Sequence, residues 1–337
     1  MGKLAAGAFL TYVTVLIAIF GVEMASLVRL FEALFGMHEP FQPGLLVGSQ
    51  VDPQVVLIFV LVSSLVILIV LAFEFVAAMF LCPSKHVDRN RLTTRNEQFG
   101  RVCVAVLTAF DDEEAIALSV DDFKRVPAVK SVIVVDNNSR DNTATVARDH
   151  GAIVVSESRQ GYGYACIAGL RYALNHTAFD DIILAEGDMT YYAQDLMKML
   201  PYLEDCDLVV GTRTTRVLTQ DGSQMDRFMV WGNMFIAVLM RLRFWDSTFW
   251  GRVRLTDVGC TFRAVRRESL DRIVDELDVG GNYFSPHMLI VALSTGLSVI
   301  EVPVKFRSRV GVSKGAGSSR LRALKIGVEM IWEVLSR

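Results

Sequence analysis

Two stretches of nineteen residues without a charge, Leu4 to Val22 and Val55 to Phe73, constrain this chain more than any other feature. As helices, at 1.5 Å per residue, each would extend roughly 28 Å, close to the hydrocarbon thickness of a bilayer. No small-residue cleavage site follows the first run and a second run comes later, so two transmembrane helices are expected rather than a signal peptide. The connection between them, Gly36 to Asp52, holds no Lys or Arg, whereas Lys85, Arg89, Arg91 and Arg95 crowd the exit of the second. By the positive-inside rule both termini and the bulk of the chain face the cytoplasm.

Charge then separates an anchor from a domain. Residues 1–82 carry two basic and five acidic side chains, and the rest of the chain carries 32 of each. A neutral remainder of ordinary composition excludes a disordered chain, a collagen-like chain and a basic nucleic-acid coat, so no nucleic-acid partner is expected. The five cysteines (Cys82, Cys103, Cys166, Cys206, Cys260) are widely spaced and lack a C-x-x-C pair, which argues against a disulfide framework or a zinc site.

From Arg101 the pattern becomes short apolar runs alternating with helical stretches. Val102–Leu107, Val132–Val135, Ile153–Val155, Ile182–Ala185 and Leu208–Val210 read as buried strands, and Glu113–Phe123, Thr143–Asp149 and Ala165–Asn175 as helices between them. This predicts an α/β domain with a mostly parallel sheet, whose ligands bind beyond the carboxyl ends of the strands. Four polar loops stand there: Thr108 to Glu114, Asp136 to Thr143, Arg159 to Ala165, and Glu186-Gly187-Asp188. Each alone could merely cap the next helix, as Asp141 before Thr143 would. Carboxylates gathered at one sheet edge repel, however, and a bound cation is the usual reason to tolerate that cost. Gly161-x-Gly163 lacks the third glycine of a dinucleotide fingerprint, and no P-loop is present.

These residues resemble a known family. Val-Val-Asp136-Asn-Asn-Ser139-x-Asp141-x-Thr143 is similar to the V-D-D/N-x-S-x-D-x-T segment of family 2 glycosyltransferases, which have the nucleotide-sugar-binding GT-A fold. Arg159-x-Gly161-x-Gly163-x-Ala165…Gly169-Leu170 is similar to a loop of their polyprenyl-phosphate branch, the dolichyl-phosphate mannose and glucose synthases and bacterial homologues. The likeness continues through Val210-Gly-Thr-Arg213, Asp257…Phe262-Arg263, Glu301-Val-Pro-Val304 and Arg309-Val-Gly-Val-Ser313-Lys314. It departs in the first loop, where Thr108, Phe110, Asp111 and Asp112 replace the usual Pro, Tyr, Asn and Glu, and in the metal motif, Glu186-x-Asp188 for D-x-D. His287 stands where relatives more often have Glu; a structural role is the default for a lone histidine.

The resemblance implies an inverting hexosyltransferase, here anchored to the membrane by the two charge-free runs, that moves one sugar from a UDP- or GDP-linked donor to a dolichyl or undecaprenyl phosphate. It implies Mg²⁺ or Mn²⁺ held by Asp188 with Glu186, and Asp188, Asp257 and Arg309 as catalytic residues. Donor contacts would come from Ala109, Asp112, Asp136, Asn138, Gly161, Gly163 and Glu186, and acceptor-phosphate contacts from Arg213, Ser313 and Lys314. An ionised phosphate acceptor needs no strong base; a hydroxyl acceptor does, and Asp257 is then the candidate. The expected organisation is an anchor at 1–82, a linker at 83–100, the GT-A domain at 101–315 and an amphipathic interfacial helix at 316–337. Residues 302–337 carry a surplus of six basic side chains, which suits an anionic surface; Met225–Trp245, too short to span a bilayer, reads as a buried helix or a membrane-surface helix, and the resemblance favours the second. Transfer to a hydroxyl of a lipid-linked glycan or membrane lipid, and a non-catalytic scaffold with a decayed domain, remain the rival readings.

Overall fold

The computed structural model describes residues 61, 62, 64, 65, 69, 101–244, 254–311 and 320–337. The first expected span lies wholly outside those residues, as does the 83–100 linker. Of the second span only Leu61, Val62, Ser64, Leu65 and Ile69 lie inside, all helical. Among the described residues no helix is long and apolar enough to cross a membrane. The chain divides into two units, 1–84 with 246–250 and 335–337, and 85–245 with 251–334; the second carries the sheet and the helices below, the last of them up to Val334.

Seven strands form one sheet in the order β3-β2-β1-β4-β6-β5-β7. They are β1 (Cys103–Ala109), β2 (Val129–Asp136), β3 (Ile153–Ser156), β4 (Asp181–Glu186), β5 (Leu208–Thr212), β6 (Arg263–Arg266) and β7 (Val299–Pro303). Only β6 runs against the rest, pairing antiparallel with both β4 and β5. The Val- and Ile-rich runs of β1, β2 and β4 are almost fully buried, as continuous apolar strands of a covered parallel sheet should be. The helices are α1 (Glu113–Lys124), α2 (Thr143–Asp149), α3 (Tyr162–His176), α4 (Leu196–Met199), α5 (Arg227–Arg243), α6 (Arg267–Asp271), α7 (Phe284–Ser294) and α8 (Arg320–Ser336).

Register decides where the chemistry goes. β1 pairs with β2 through Ala109 and Asp136, and with β4 through Thr108 and Glu186. Three parallel strands therefore end level, so Asp136 at the end of β2 and the loops carrying Asp112 and Asp188 stand at one edge. The glycine segment differs from its sequence reading as a loop: α3 already begins at Tyr162, so Gly163 is helical and Gly161 is its N-cap at φ 153°.

Candidate active site

Asp188 follows β4 after a single glycine and is 2% exposed. One oxygen, Oδ1, accepts from the Thr190 amide (3.0 Å) and hydroxyl (2.6 Å). The other, Oδ2, is buried without a hydrogen-bond partner. Asp188 is not the cap of the helical turn at Ala193, because that amide is taken by Asp122 at 3.1 Å. Met189 adopts φ 66°, a left-handed conformation costly for such a residue, so the chain reverses sharply just beyond the carboxylate. Burial, with the neighbouring Asp188 charge second, pushes the Glu186 carboxyl up to about 8.

The opposite wall is basic. Arg213 leaves the end of β5 and meets Asp257 in a two-point grip, Nε to Oδ2 at 2.8 Å and a terminal nitrogen to Oδ1 at 2.9 Å. Asp257 is fully buried and is held in turn, because Glu301 of β7 accepts from its amide (2.8 Å) and from the Thr256 amide and hydroxyl. Both Asp257 oxygens are committed to Arg213 or to the amides of Arg213 and Gly259, an arrangement that orients a cation rather than one poised to take a proton.

After β7 a strap runs back along the 188–191 turn. The Arg307 amide donates to the Thr190 carbonyl (3.0 Å) and the Val310 amide to the Asp188 carbonyl (3.2 Å). The Arg307 side chain donates to the Met189 and Tyr191 carbonyls while stacking on Tyr192, 3.9 Å from the ring centroid. Arg309 thereby reaches Asp112 Oδ1 (2.5 Å) and Asp188 Oδ2 (3.3 Å). Burial lowers its pKa, but the two carboxylates outweigh that and the net shift is upward.

The glycine segment is fixed by a residue that sequence reasoning passed over. Asn137 donates to the Glu157 (3.1 Å) and Arg159 (2.7 Å) carbonyls and accepts from the Gly161 amide (2.9 Å). The Gly163 amide donates to the Gly280 carbonyl at 3.0 Å. A Cβ on Gly163 would lie 2.0 Å from the Val279 carbonyl oxygen, so only glycine lets α3 seat here.

A cavity of about 580 Å³ lies between these groups, within the usual range for a small-molecule site. Ala109, Asp112, Gly161, Glu186, Asp188, Arg213 and Arg309 all line it. Asp136, Asn138, Gly163 and Asp257 do not; Asn138 is exposed and left-handed at φ 62°, and Asp136 accepts from the Ser139 amide at 3.3 Å. Ser313 and Lys314 lie outside the described residues. Asn137, Gln160 and Thr261 line the cavity without having been singled out, and its far wall is apolar, built from Phe228 and Phe235 of α5 with Leu324 and Ile331 of α8.

Among the described residues no group of three or more His, Cys, Asp or Glu side chains could hold a metal ion. Two carboxylates with one orphaned, buried oxygen nonetheless fit a hard divalent cation, which completes its shell with water and substrate phosphate. The donor set is that of a cation shared with a ligand, not of a closed protein cage.

Residues 104–274 match the family described as Glycosyl transferase family 2. An uncharacterized glycosyltransferase of Mycobacterium tuberculosis strain H37Rv is 32% identical over 242 residues, spanning 70% of this chain and 99% of its own. A dolichyl-phosphate hexose transferase of Haloferax volcanii is 29% identical over 210 residues, 62% of this chain and 84% of its own. An undecaprenyl-phosphate mannosyltransferase of Micrococcus luteus is 24% identical over 246 residues, 69% and 96%. Among solved structures, glucosyl-3-phosphoglycerate synthase from Mycobacterium tuberculosis, in complex with Mn²⁺, UDP-glucose and phosphoglyceric acid, superposes with TM-score 0.52 at 19% identity, covering 70% of this chain and 79% of that one. That likeness bears on fold, and the sheet domain is GT-A-like.

Proposed function

The chain belongs to glycosyl transferase family 2, and from that premise we propose that it transfers one hexose from a nucleotide-diphosphate donor to a polyprenyl phosphate at a membrane surface. The observation that carries the reading is the cavity itself, whose carboxylate and arginine end meets an apolar wall from α5 and α8. A diphosphate suits the first and a prenyl chain the second. Relatives named for transfer to dolichyl and undecaprenyl phosphate support the acceptor class, and a structural neighbour bound to Mn²⁺ and UDP-glucose supports a nucleotide-sugar donor and a divalent cation.

In this reading the acceptor phosphate attacks the anomeric carbon from the face opposite the leaving group. The new C1–O bond to the lipid phosphate forms as the C1–O bond to the diphosphate breaks, with inversion, and the nucleoside diphosphate departs with the electron pair. The acceptor is already an anion near neutral pH, so no general base is required, in keeping with the full occupancy of Asp257. Asp188 and Glu186 would hold Mg²⁺ or Mn²⁺, which when bound supplies charge neutralisation for the departing diphosphate. Arg213, which Asp257 orients and which lines the cavity, would grip a phosphate there.

Anchoring by two N-terminal spans, with the domain and both termini cytoplasmic, belongs to the same proposal. Its support is the charge-free runs and the exposed apolar stripes of two helices. On α5, Phe228, Trp231, Phe235, Val238 and Leu242 recur at helical spacing, with Trp231 72% exposed. On α8, Leu321, Leu324, Val328 and Trp332 do the same among Arg320, Arg322 and Lys325, a pattern suited to an anionic headgroup region.

The test is the full-length protein in liposomes with polyprenyl phosphate, Mn²⁺ and radiolabelled UDP- and GDP-sugars. A lipid-extractable product labile to mild acid is expected, and Asp188→Asn should reduce it at least about a hundredfold with the fold intact, as loss of a charge stabilising the leaving group does. No lipid product from any common donor defeats the proposal. An acid-stable product would instead favour a hydroxyl acceptor.

A further inference from the structure

We infer that Arg309 is the resident counter-ion of the carboxylate pocket and the residue that couples cation binding to diphosphate binding. The inference rests on the proposed cation site at Asp188 and goes beyond it, because it concerns which positive charge stands there when no nucleotide is present.

Arg309 spans two carboxylates from different loops, Asp112 at 2.5 Å and Asp188 at 3.3 Å. The two contacts are unequal. With Asp112 it forms a charged hydrogen bond, whereas its approach to Asp188 Oδ2 leaves that oxygen without one. Its Nε is likewise buried without a partner. An arginine that uses only part of its donor fork, beside an oxygen short of a donor, neutralises the pocket without fitting it. Asp188 Oδ2, with no hydrogen-bond donor to give up, is also the oxygen we assign to the divalent ion. A cation there would face the guanidinium at close range in a buried site, and the two positive charges oppose each other.

The strap lets the side chain change partner without moving its backbone. Arg307 is pinned on the 189–191 turn and the Val310 amide on the Asp188 carbonyl, two residues before and one residue after the switching side chain. A diphosphate entering the cavity offers Arg309 a two-point partner, the strongest kind of hydrogen-bonded ion pair for an arginine. Once the guanidinium turns to phosphate, Asp188 is released to the metal. Nucleotide and metal each favour the state in which Arg309 has left Asp188, so each tightens the other.

The experiment is Mn²⁺ titration of the full-length protein, read by loss of the free-ion electron paramagnetic resonance signal, without nucleotide and with saturating UDP or GDP. Arg309→Met and Arg309→Gln are compared with wild type, and circular dichroism checks that each is folded. Direct chelation of Mn²⁺ by the diphosphate is common to all three proteins, so differences between them report on residue 309. Without nucleotide, both variants should bind Mn²⁺ about five-fold or more tighter than wild type, and the factor by which nucleotide tightens Mn²⁺ should shrink by a similar amount, within the usual span of coupling. Equal or weaker Mn²⁺ binding by a folded variant, or an unchanged nucleotide factor, overturns the inference while leaving the cation site standing. If wild type binds no Mn²⁺ with either nucleotide, the cation site and this inference fall together.

Discussion

Glu186 and Asp188 stand two residues apart at the end of β4, and the first has a property with a measurable sign. Its carboxyl, ordinarily near 4.5, is pushed up to about 8 by burial and then by Asp188. Folding therefore favours the protonated form. The stability this group contributes is fully present below 4.5 and is lost as pH rises toward about 8. A cation requires the carboxylate and must expel the proton, so Mn²⁺ affinity in the presence of nucleotide should rise with pH and level off above about 8. Titration calorimetry in buffers of different ionisation enthalpy would check this through net proton release. A flat pH profile with no proton release would remove Glu186 from the cation site. At this scale the sequence announced the charged residues and concealed the neutral ones. Asp188 was legible because a charge ending a buried strand needs a reason, and Arg213 and Arg309 because they stand in segments that resemble the family's. Asn137 was not, because an amide serving three backbone groups looks in sequence like any loop asparagine. Asp257 was legible as important, but its partner Arg213 lies 44 residues away and only the fold discloses the pairing.

Two contacts between elements hold the glycine segment and α8 in place. The N-terminus of α3 seats on the 279–281 loop, where a methyl at 163 would collide with backbone that cannot yield cheaply. Gly163→Ala should destabilise the protein by about 1–3 kcal/mol in urea titration, the usual cost of overpacking. It should also weaken nucleotide binding, since Gly161 lines the cavity; unchanged stability would mean that the loop simply moves away. The second contact explains the odd histidine. His287 of α7 is fully buried, with Nδ1 2.8 Å from Glu333 of α8, and the Asp278 amide donates to its Nε2 at 3.4 Å. The histidine thus joins α8 to the segment that supports the glycine loop. Removing it takes one hydrogen bond from a buried carboxylate and empties a buried site, so His287→Ala should cost about 1–3 kcal/mol. His287→Asn, which can place a donor near Nδ1, should recover part of that; equal loss in both would make the packing of the ring, not its hydrogen bond, the important term.

The elements that the sequence hid have physical reasons too. β6 reads as Arg-Ala-Val-Arg, and charged ends argue against a central strand. It can be buried because Arg263 donates to the Cys260 and Val258 carbonyls and Arg266 to those of Leu203 and Glu204. α7 is apolar on every side and almost wholly buried, so it lacks the periodicity that betrays a surface helix. Of the five strands that were legible, β1, β2, β4 and β5 pair a Val- and Ile-rich composition with burial, whereas β3, expected to be buried, stands at the sheet edge with Ile153 41% exposed.

For the whole molecule, the N-terminal charge-free runs and the cavity at the sheet edge suit one proposed function: a lipid substrate presented at a surface to a donor held by carboxylates and arginines. The apolar residues of α5 and α8 divide between the two tasks. Ile236, Ala237 and Met240 pack inward, while Trp231 and Trp332 stand 72% and 62% exposed. Helical spacing pointed to α8 and a short apolar run to α5, but neither divides inward from outward faces, because apolar residues occupy more than one side of each. The most direct test of the central claim is phosphorus-31 nuclear magnetic resonance of the lipid recovered after full-length protein has acted on polyprenyl phosphate with nucleotide sugar and Mn²⁺. The account predicts that the phosphate monoester resonance of the lipid is replaced by that of a sugar phosphodiester as nucleoside diphosphate is released. A monoester resonance that persists while sugar is transferred elsewhere, or no transfer at all, would contradict it.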